Sequence, residues 1–234
     1  MIPAMSAASL SVVIPTLNAR ASLASCLGAI EEARTGGLLS EIIVVDGGST
    51  DDTIAVATAS GARVIATPAG RGQQLAEGGR AAAGDWLLFL HADTQLAAGW
   101  AAAAAGFMAT PENAGRAAVF RFALRDDDSA ARRLERIVAW RCRVLALPYG
   151  DQGLLIGRDF YRRLGGFKPV PLMEDVDIVR RIGRRRLTML EATAWTSAAR
   201  YRRGGYLRRS ARNLTCLSLY FLGVPPAAIA RIYG

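Results

Sequence analysis

Four short apolar runs recur in the first part of the chain: "LSVVIP" (10–15), "EIIVVD" (41–46), "ARVIAT" (62–67) and "DWLLFL" (85–90). Each is rich in Val, Ile or Leu and lacks the strict in-out alternation of a half-exposed strand, as expected of strands covered on both faces. The stretches between them are long enough for crossover helices. The pattern therefore predicts βαβ units and an α/β domain with a mostly parallel, Rossmann-like central sheet flanked by helices. Ser49, with Asp52 three residues on, predicts a capping box that opens the second helix, and Gly84 predicts the end of the third.

Beyond residue 115 the pattern predicts a strand over 117–124 and an amphipathic helix over 129–145. A short strand follows, then a helix ended by Gly165-Gly166, and a helix starting in "MEDVDIVRRI" (173–182). The remainder reads as an Arg-rich segment and an apolar run, "LTCLSLYFLGV" (214–224), in a helical C-terminal tail. The alanine run 101–105 reads as plain helix. Neither a repeat nor a flexible linker divides the chain, so a single domain over 1–234 is expected.

At 234 residues, 51% of them hydrophobic, the chain can fill one sizeable core. Residues 1–115 carry 5 Arg against 10 acids, net −5, whereas 116–234 carry 24 Lys plus Arg against 10, net +14. The two halves are thus expected to meet different partners. Cys26, Cys142 and Cys216 are odd in number and lack metal-ligand spacing, which predicts buried thiols in a reducing compartment. Met1–Ser9 lack a charged segment followed by a long apolar one, so a cytoplasmic start is expected. The run at 214–224 falls short of the roughly 20 residues that a membrane span requires.

In an open parallel sheet, ligands collect outside the carboxyl ends of the strands. Those ends read "TLN" (16–18), "DGGST" (46–50, with Gly48), "GRGQQ" (70–74, with Arg71 and Gln73) and "HAD" (91–93), and one crevice is expected to gather them. Asp93 is the candidate metal ligand, since a hard cation bound to phosphate oxygens suits a carboxylate at a strand tip. An N-cap for a following helix is the structural alternative. His91, the only histidine, either joins the metal, touches a ribose or hydrogen-bonds nearby backbone. Asp46 either accepts from a base or ribose or closes an Asx-turn. "GRGQQL" lacks the third glycine of a dinucleotide fingerprint and follows the wrong strand, and no P-loop is present.

Glu174 and Asp175 are the candidate catalytic carboxylates. Helical phase places Glu174, Asp177 and Arg181 on one outer face, with Asp177 and Arg181 as a surface pair. Asp175 shares its stripe with Ile178, Val179 and Ile182, which puts a carboxylate on the buried side of a helix N-terminus, where the dipole favours negative charge. Such a group can accept a proton in a pocket, or serve as a structural carboxylate bonded to backbone.

"SVVIPTLN", "EIIVVDGGSTDDT", the carboxylate motif after the fourth strand and "MEDVD" together resemble the family 2 glycosyltransferases of GT-A fold, over most of residues 10–185. "GRGQQL", "LHADT", "GDQG", "GGF" and "RNLTCLSLYFLGV" resemble the small bacterial subgroup called selenodomain-associated or arsenosugar-related transferases. The resemblance implies transfer of a sugar, with inversion, from a nucleotide diphosphate donor, UDP favoured, to an acceptor hydroxyl. A donor half at 10–115, an acceptor half at 116–195 and a tail at 196–234 would follow. Pro15, Thr16, Asn18 and Asp46 would frame the nucleotide, Asp93 would hold Mn²⁺ or Mg²⁺ on its phosphates, and Asp175 would be the general base. Arg200, Arg202 and Arg203 would close over the diphosphate, and Gln152 would touch the acceptor.

His91 stands where the family's acidic motif has its first Asp, and no second histidine is available in the acceptor half. Metal is therefore expected to bind weakly until the nucleotide supplies phosphate oxygens. A sugar nucleotidyltransferase would want a basic, glycine-rich loop after the first strand, which "TLNARASL" does not offer. A nucleic-acid binder would want aromatics among the basic residues, and "RYRRGGYLRRSARN" has two tyrosines. A non-catalytic nucleotide-binding or membrane-surface module is the other alternative. The tail, 200–224, either rests on an anionic bilayer or packs on the domain or on a second copy in a homodimer.

Overall fold

A computed structural model describes residues 9–233, apart from the side chains of Arg200 and Arg203. The four apolar runs form β1 (Leu10–Thr16), β2 (Leu39–Asp46), β3 (Arg63–Ala66) and β4 (Trp86–Phe89), all parallel. They are linked by α1 (Arg20–Thr35), α2 (Thr53–Ala59) and α3 (Arg71–Ala81). β5 (Thr94–Leu96), α4 (Trp100–Met108), β6 (Ala117–Leu124), α5 (Ser129–Leu145), β7 (Leu154–Gly157) and α6 (Arg158–Arg163) follow. α7 (Glu174–Ile182), β8 (Leu187–Thr196), α8 (Ala199–Gly204), α9 (Tyr206–Phe221) and α10 (Pro226–Tyr233) complete the order.

The strands make one mixed sheet in the order β3-β2-β1-β4-β7-β6-β8-β5. β7 runs antiparallel to both of its neighbours, β5 is antiparallel to β8, and β6 is parallel to β8. Moving from β1, the chain builds outward through β2 and β3 and then crosses back to β4. The switch point between β1 and β4 thus opens a crevice beyond their carboxyl ends.

β5 and β8 go beyond the strands the sequence pattern predicts. β8 sends Leu190, Ala192, Ala194 and Thr196 inward at alternate positions. Its small and charged residues hide that period. Two apolar layers flank the sheet: one centres on Trp100, Phe120 and Leu23, the other on Phe89, Tyr161 and Ile178. α3 lies unusually close to its neighbours. A Cβ at Gly72 would come within 2.4 Å of the Val170 carbonyl, and one at Gly78 within 2.3 Å of Val13. Gly72, Gly78 and Gly79 therefore serve close packing of α3.

Two predicted boundaries shift. α2 opens at Thr53 without the Ser49–Asp52 capping box: Ser49 Oγ instead donates to Asp46 and accepts from Asn18 N, and Asp51 Oδ1 accepts from Thr53 N at 3.0 Å. α3 ends at Ala81, ahead of Gly84, whose missing side chain lets the chain pass Ser11. The three cysteines are buried and free. Among the described residues no helix is long and apolar enough to cross a membrane.

Candidate active site

β4 runs out at Phe89 and the chain turns through His91–Thr94, with Thr94 N bonded to the His91 carbonyl at 3.0 Å. A strand, β5, comes next, so Asp93 is not a helix cap. His91 and Asp93 line a pocket of about 120 Å³ together with Arg71, Asp151 and Asp175. The opposite wall comes from the tail: Tyr201, Arg209, Asn213 and Tyr233. Arg209 donates to the Tyr233 hydroxyl at 3.2 Å, and its guanidinium lies 5.3 Å from the Tyr201 ring centroid.

Asp175 sits in the first turn of α7. Its Oδ2 accepts from Gly150 N at 2.9 Å and its Oδ1 from Val176 N at 2.7 Å, which fixes the carboxylate at the pocket wall. Asp175 thus lines the pocket, whereas Glu174, expected on the outer face, lies in the interior. Met173, at φ 65°, turns the chain in the left-handed region immediately before α7. Glu174 is fully buried, where the Arg71 Nε donates to its Oε1, while its Oε2 has no hydrogen-bond partner. Burial pushes the Glu174 carboxyl up, and Arg71 opposes that rise. Asp177 and Arg181 pair as expected, 2.5 Å apart, and Lys168 joins them.

Gly150 is the close-approach point of the site: a Cβ there would come within 2.6 Å of His91 Nε2. The following turn, Gly150–Gln152, corrects another expectation. Gln152 is fully buried, donating to the Phe120 carbonyl at 2.9 Å and accepting from Cys142 Sγ at 3.1 Å, so it faces the interior and cannot touch an acceptor. Its neighbour Asp151 takes the pocket position, with Oδ1 buried and lacking a partner. "GDQG" carried that signal, but a buried amide and a pocket carboxylate look alike without the turn.

Burial, with the nearby charges of Asp175 and Asp93, pushes the Asp151 carboxyl up to about 6, against the pull of Arg141. The folded protein then holds a proton on Asp151 that the unfolded chain has released, so stability falls as pH rises from about 4 to 6. In metal-free buffer, Asp151→Asn is expected to be more stable than wild type at pH 7, by about 3 kcal/mol. That is about 6–12 °C in Tm at this chain length. The gap should close near pH 4; an equal gap at both values would refute this origin of the effect.

The β1 and β2 ends form a separate, internally bonded network. Asp46 accepts from Gly48 N, Ser49 N, Ser49 Oγ and Thr16 Oγ1 at 2.5–3.0 Å. Burial works against its ionisation, but these hydrogen bonds prevail and hold its carboxyl below the ordinary range. Asp46 thus closes an Asx-turn, with its two oxygens engaged by these four bonds. Asn18, at φ 50°, accepts from Thr50 N at 2.9 Å. Pro15 is buried in β1 opposite Val45, and Gly48 supplies a φ of 93°. Gln73 is half-buried, while Gln74, which the sequence reading did not select, ties the Thr16 and Val45 carbonyls at 2.7 Å each. Arg71, His91, Asp93 and Asp175 line the pocket, and the β1 and β2 ends lie beside α3, the helix that carries Arg71, bonded to it through Gln74.

Arg202 does not reach the pocket; it donates to Asp126 Oδ2 at 2.9 Å and anchors α8 to the loop after β6. The Arg200 and Arg203 side chains lie outside the described residues. The tail packs on the domain through Cys216, Leu217 and Ile229.

The donor set suits a hard divalent cation: Asp93 faces the pocket, and Asp151 offers a buried oxygen without a partner. Among the described residues, however, no three His, Cys, Asp or Glu side chains gather closely enough to hold a metal by themselves.

The switch-point sheet, the carboxylates at its carboxyl edge and the helical closing wall define an α/β enzyme scaffold of the GT-A type. The chain belongs to glycosyl transferase family 2, whose family model matches residues 11–166. A Mycobacterium tuberculosis PGL/p-HBAD biosynthesis glycosyltransferase is 40% identical over 99 residues, covering 39% of this chain and 38% of that protein. The M. tuberculosis glucosyl-3-phosphoglycerate synthase is 41% identical over 93 residues, 36% of this chain and 28% of that protein. The matched part thus spans well under half of those relatives. By structure, that synthase with phosphoglyceric acid superposes with a TM-score of 0.60 at 25% identity, covering 93% of this chain and 81% of its own. Its complex with Mn²⁺, UDP and glucosyl-3-phosphoglycerate gives 0.57 at 26% identity, with 81% and 70% covered.

Proposed function

We propose that this protein transfers a glycosyl group, with inversion, from a nucleotide diphosphate sugar to an acceptor hydroxyl, with Asp175 as general base. The observation that carries the reading is the Asp175 carboxylate, bonded to Gly150 N at 2.9 Å in the same pocket as Asp93. The UDP and Mn²⁺ in the solved synthase support a uridine nucleotide as the donor.

Asp93 and the Asp151 Oδ1 would hold Mn²⁺ or Mg²⁺, with His91 beside them. When bound, the cation supplies positive charge to the leaving diphosphate. Arg71, fixed by Glu174, and Arg209, fixed by Tyr233, present cations to the same pocket. Asp175 accepts the proton of the acceptor hydroxyl as its oxygen attacks the anomeric carbon and the bond to the diphosphate breaks. The Asx-turn of Asp46 and the Asn18–Thr50 bond shape the loops beside the nucleotide. The tail wall excludes water from the reacting centre.

A thermal-shift titration with UDP, GDP, CDP and dTDP, each with and without Mn²⁺, tests the donor site. UDP with Mn²⁺ at about 100 times its Kd is expected to add roughly 2.7 kcal/mol. Asp93→Ala should abolish the gain, and Mn²⁺ alone should add little. Stabilisation by no nucleotide, or an undiminished gain in Asp93→Ala, would refute the assignment.

A further inference from the structure

α5 carries two apolar stripes. Ala131, Leu134, Val138 and Cys142 are buried against the domain. A second stripe faces water, with Ile137 60% exposed, Trp140 58% exposed, and Val144 and Leu145 open beside them. It continues across the surface, because Leu145 shares an open groove of about 740 Å³ with Phe221 and Leu222 at the end of α9. Leu222 is 81% exposed. The charged residues that line this groove and the depression at Trp140 carry one sign. Arg133 and Arg136 flank Ile137 and Trp140, Arg143 is exposed on the next turn, and Arg180 and Arg184 line the groove. Among the described residues no acid lines either depression. Arg180 lies 5.0 Å from the Phe221 ring centroid, and Arg184 donates to the Val144 carbonyl at 2.9 Å, so the cations and the apolar residues form one surface.

We infer that the face built from α5 and the end of α9 docks on an anionic lipid bilayer. Exposed apolar side chains a few ångströms deep in the headgroup region, an indole at the water boundary and a ring of Arg are what such a surface recognises. A second copy of this chain fits the face poorly. A two-fold contact would set these Arg residues against their own counterparts, with no acid in either depression to compensate. Within residues 200–224, Cys216 and Leu217 are buried and Leu219 packs on the core, Leu207 and Leu214 are exposed elsewhere on the tail, and Phe221 and Leu222 join this surface. The inference is independent of the transfer reaction.

Co-sedimentation of the full chain with vesicles of phosphatidylcholine alone, or mixed with phosphatidylglycerol, tests it. Wild type should be retained at least tenfold better on the mixed vesicles and released by 1 M salt. Mixed vesicles should also shift tryptophan emission to the blue, a shift that Trp140→Phe removes; of the other three tryptophans, Trp86 and Trp100 are buried and Trp195 is half-buried in β8. Ile137→Ser with Trp140→Ser and Phe221→Ser should lower retention at least tenfold, as should Arg133→Glu with Arg136→Glu, while the UDP and Mn²⁺ thermal shift stays as in wild type. Equal retention on neutral vesicles, or retention unchanged in both variants, overturns the inference. So does a wild-type dimer that the serine variant converts to monomer, which would assign the face to a second copy.

Discussion

Asp175→Asn is expected to lower glycosyl transfer about 10³-fold, the middle of the range for removing a general base. The nucleotide should still bind. The amide oxygen can replace Oδ2 as acceptor for Gly150 N, the volume hardly changes, and Asp93 is untouched. The capacity to take a proton is lost, together with the bond from Val176 N, which the amide nitrogen cannot accept. The loss should fall on kcat with KM within about threefold, because the missing interaction develops in the transition state. Steady-state kinetics on a transferable donor, alongside the UDP and Mn²⁺ thermal shift, separates this from misfolding. A loss under tenfold would exclude Asp175 as the base and turn attention to Asp151, the neighbouring pocket carboxylate.

Arg71→Ala is expected to be the most destabilising single change at the site, on the order of 3 to 5 kcal/mol. Glu174 is fully buried and its Oε1 is bonded to Arg71, so removing the guanidinium leaves a carboxylate in the interior without compensation. At this chain length that amounts to roughly 10 °C in Tm. The sign of the pH dependence follows from the direction of the Glu174 shift. Burial already raises this carboxyl, and loss of Arg71 raises it further. Folded protein then keeps a proton that the unfolded chain releases, so the deficit should be larger at pH 8 than at pH 5. Arg71→Met combined with Glu174→Leu should recover most of the loss, since an apolar pair needs no counter-charge. Thermal melts of the three variants at both pH values test this; a deficit below 1 kcal/mol for Arg71→Ala would show that Glu174 is not held by the pair.

The βαβ half was legible because buried parallel strands are written as dense Val, Ile and Leu runs, and β1, β2, β3 and β4 fall within a residue or two of those runs. β8 was not, because its inward positions are largely alanine and its outward ones include Glu191. Asp93 and Asp175 could be found since each closes or opens an element whose hydrophobic pattern is strong. What local pattern does not separate are neighbours: Gln152 from Asp151, and Glu174 from Asp175. In each pair one side chain goes inward and the other outward, and a turn or a left-handed residue such as Met173 decides which. Local sequence does not encode that rotation; the arrival of Arg71 from α3, 103 positions earlier, does.

The pocket wall made by Tyr201, Arg209, Asn213 and Tyr233 also has a consequence for biosynthesis. During translation the sheet from β1 to β4, with its Asx-turn, emerges and can begin to fold long before α9 and α10 leave the ribosome. Until those helices emerge and pack, the wall carrying Arg209, Asn213 and Tyr233 is missing from the pocket of Asp93 and Asp175. The order of synthesis thus completes the reacting centre after the sheet that supports it.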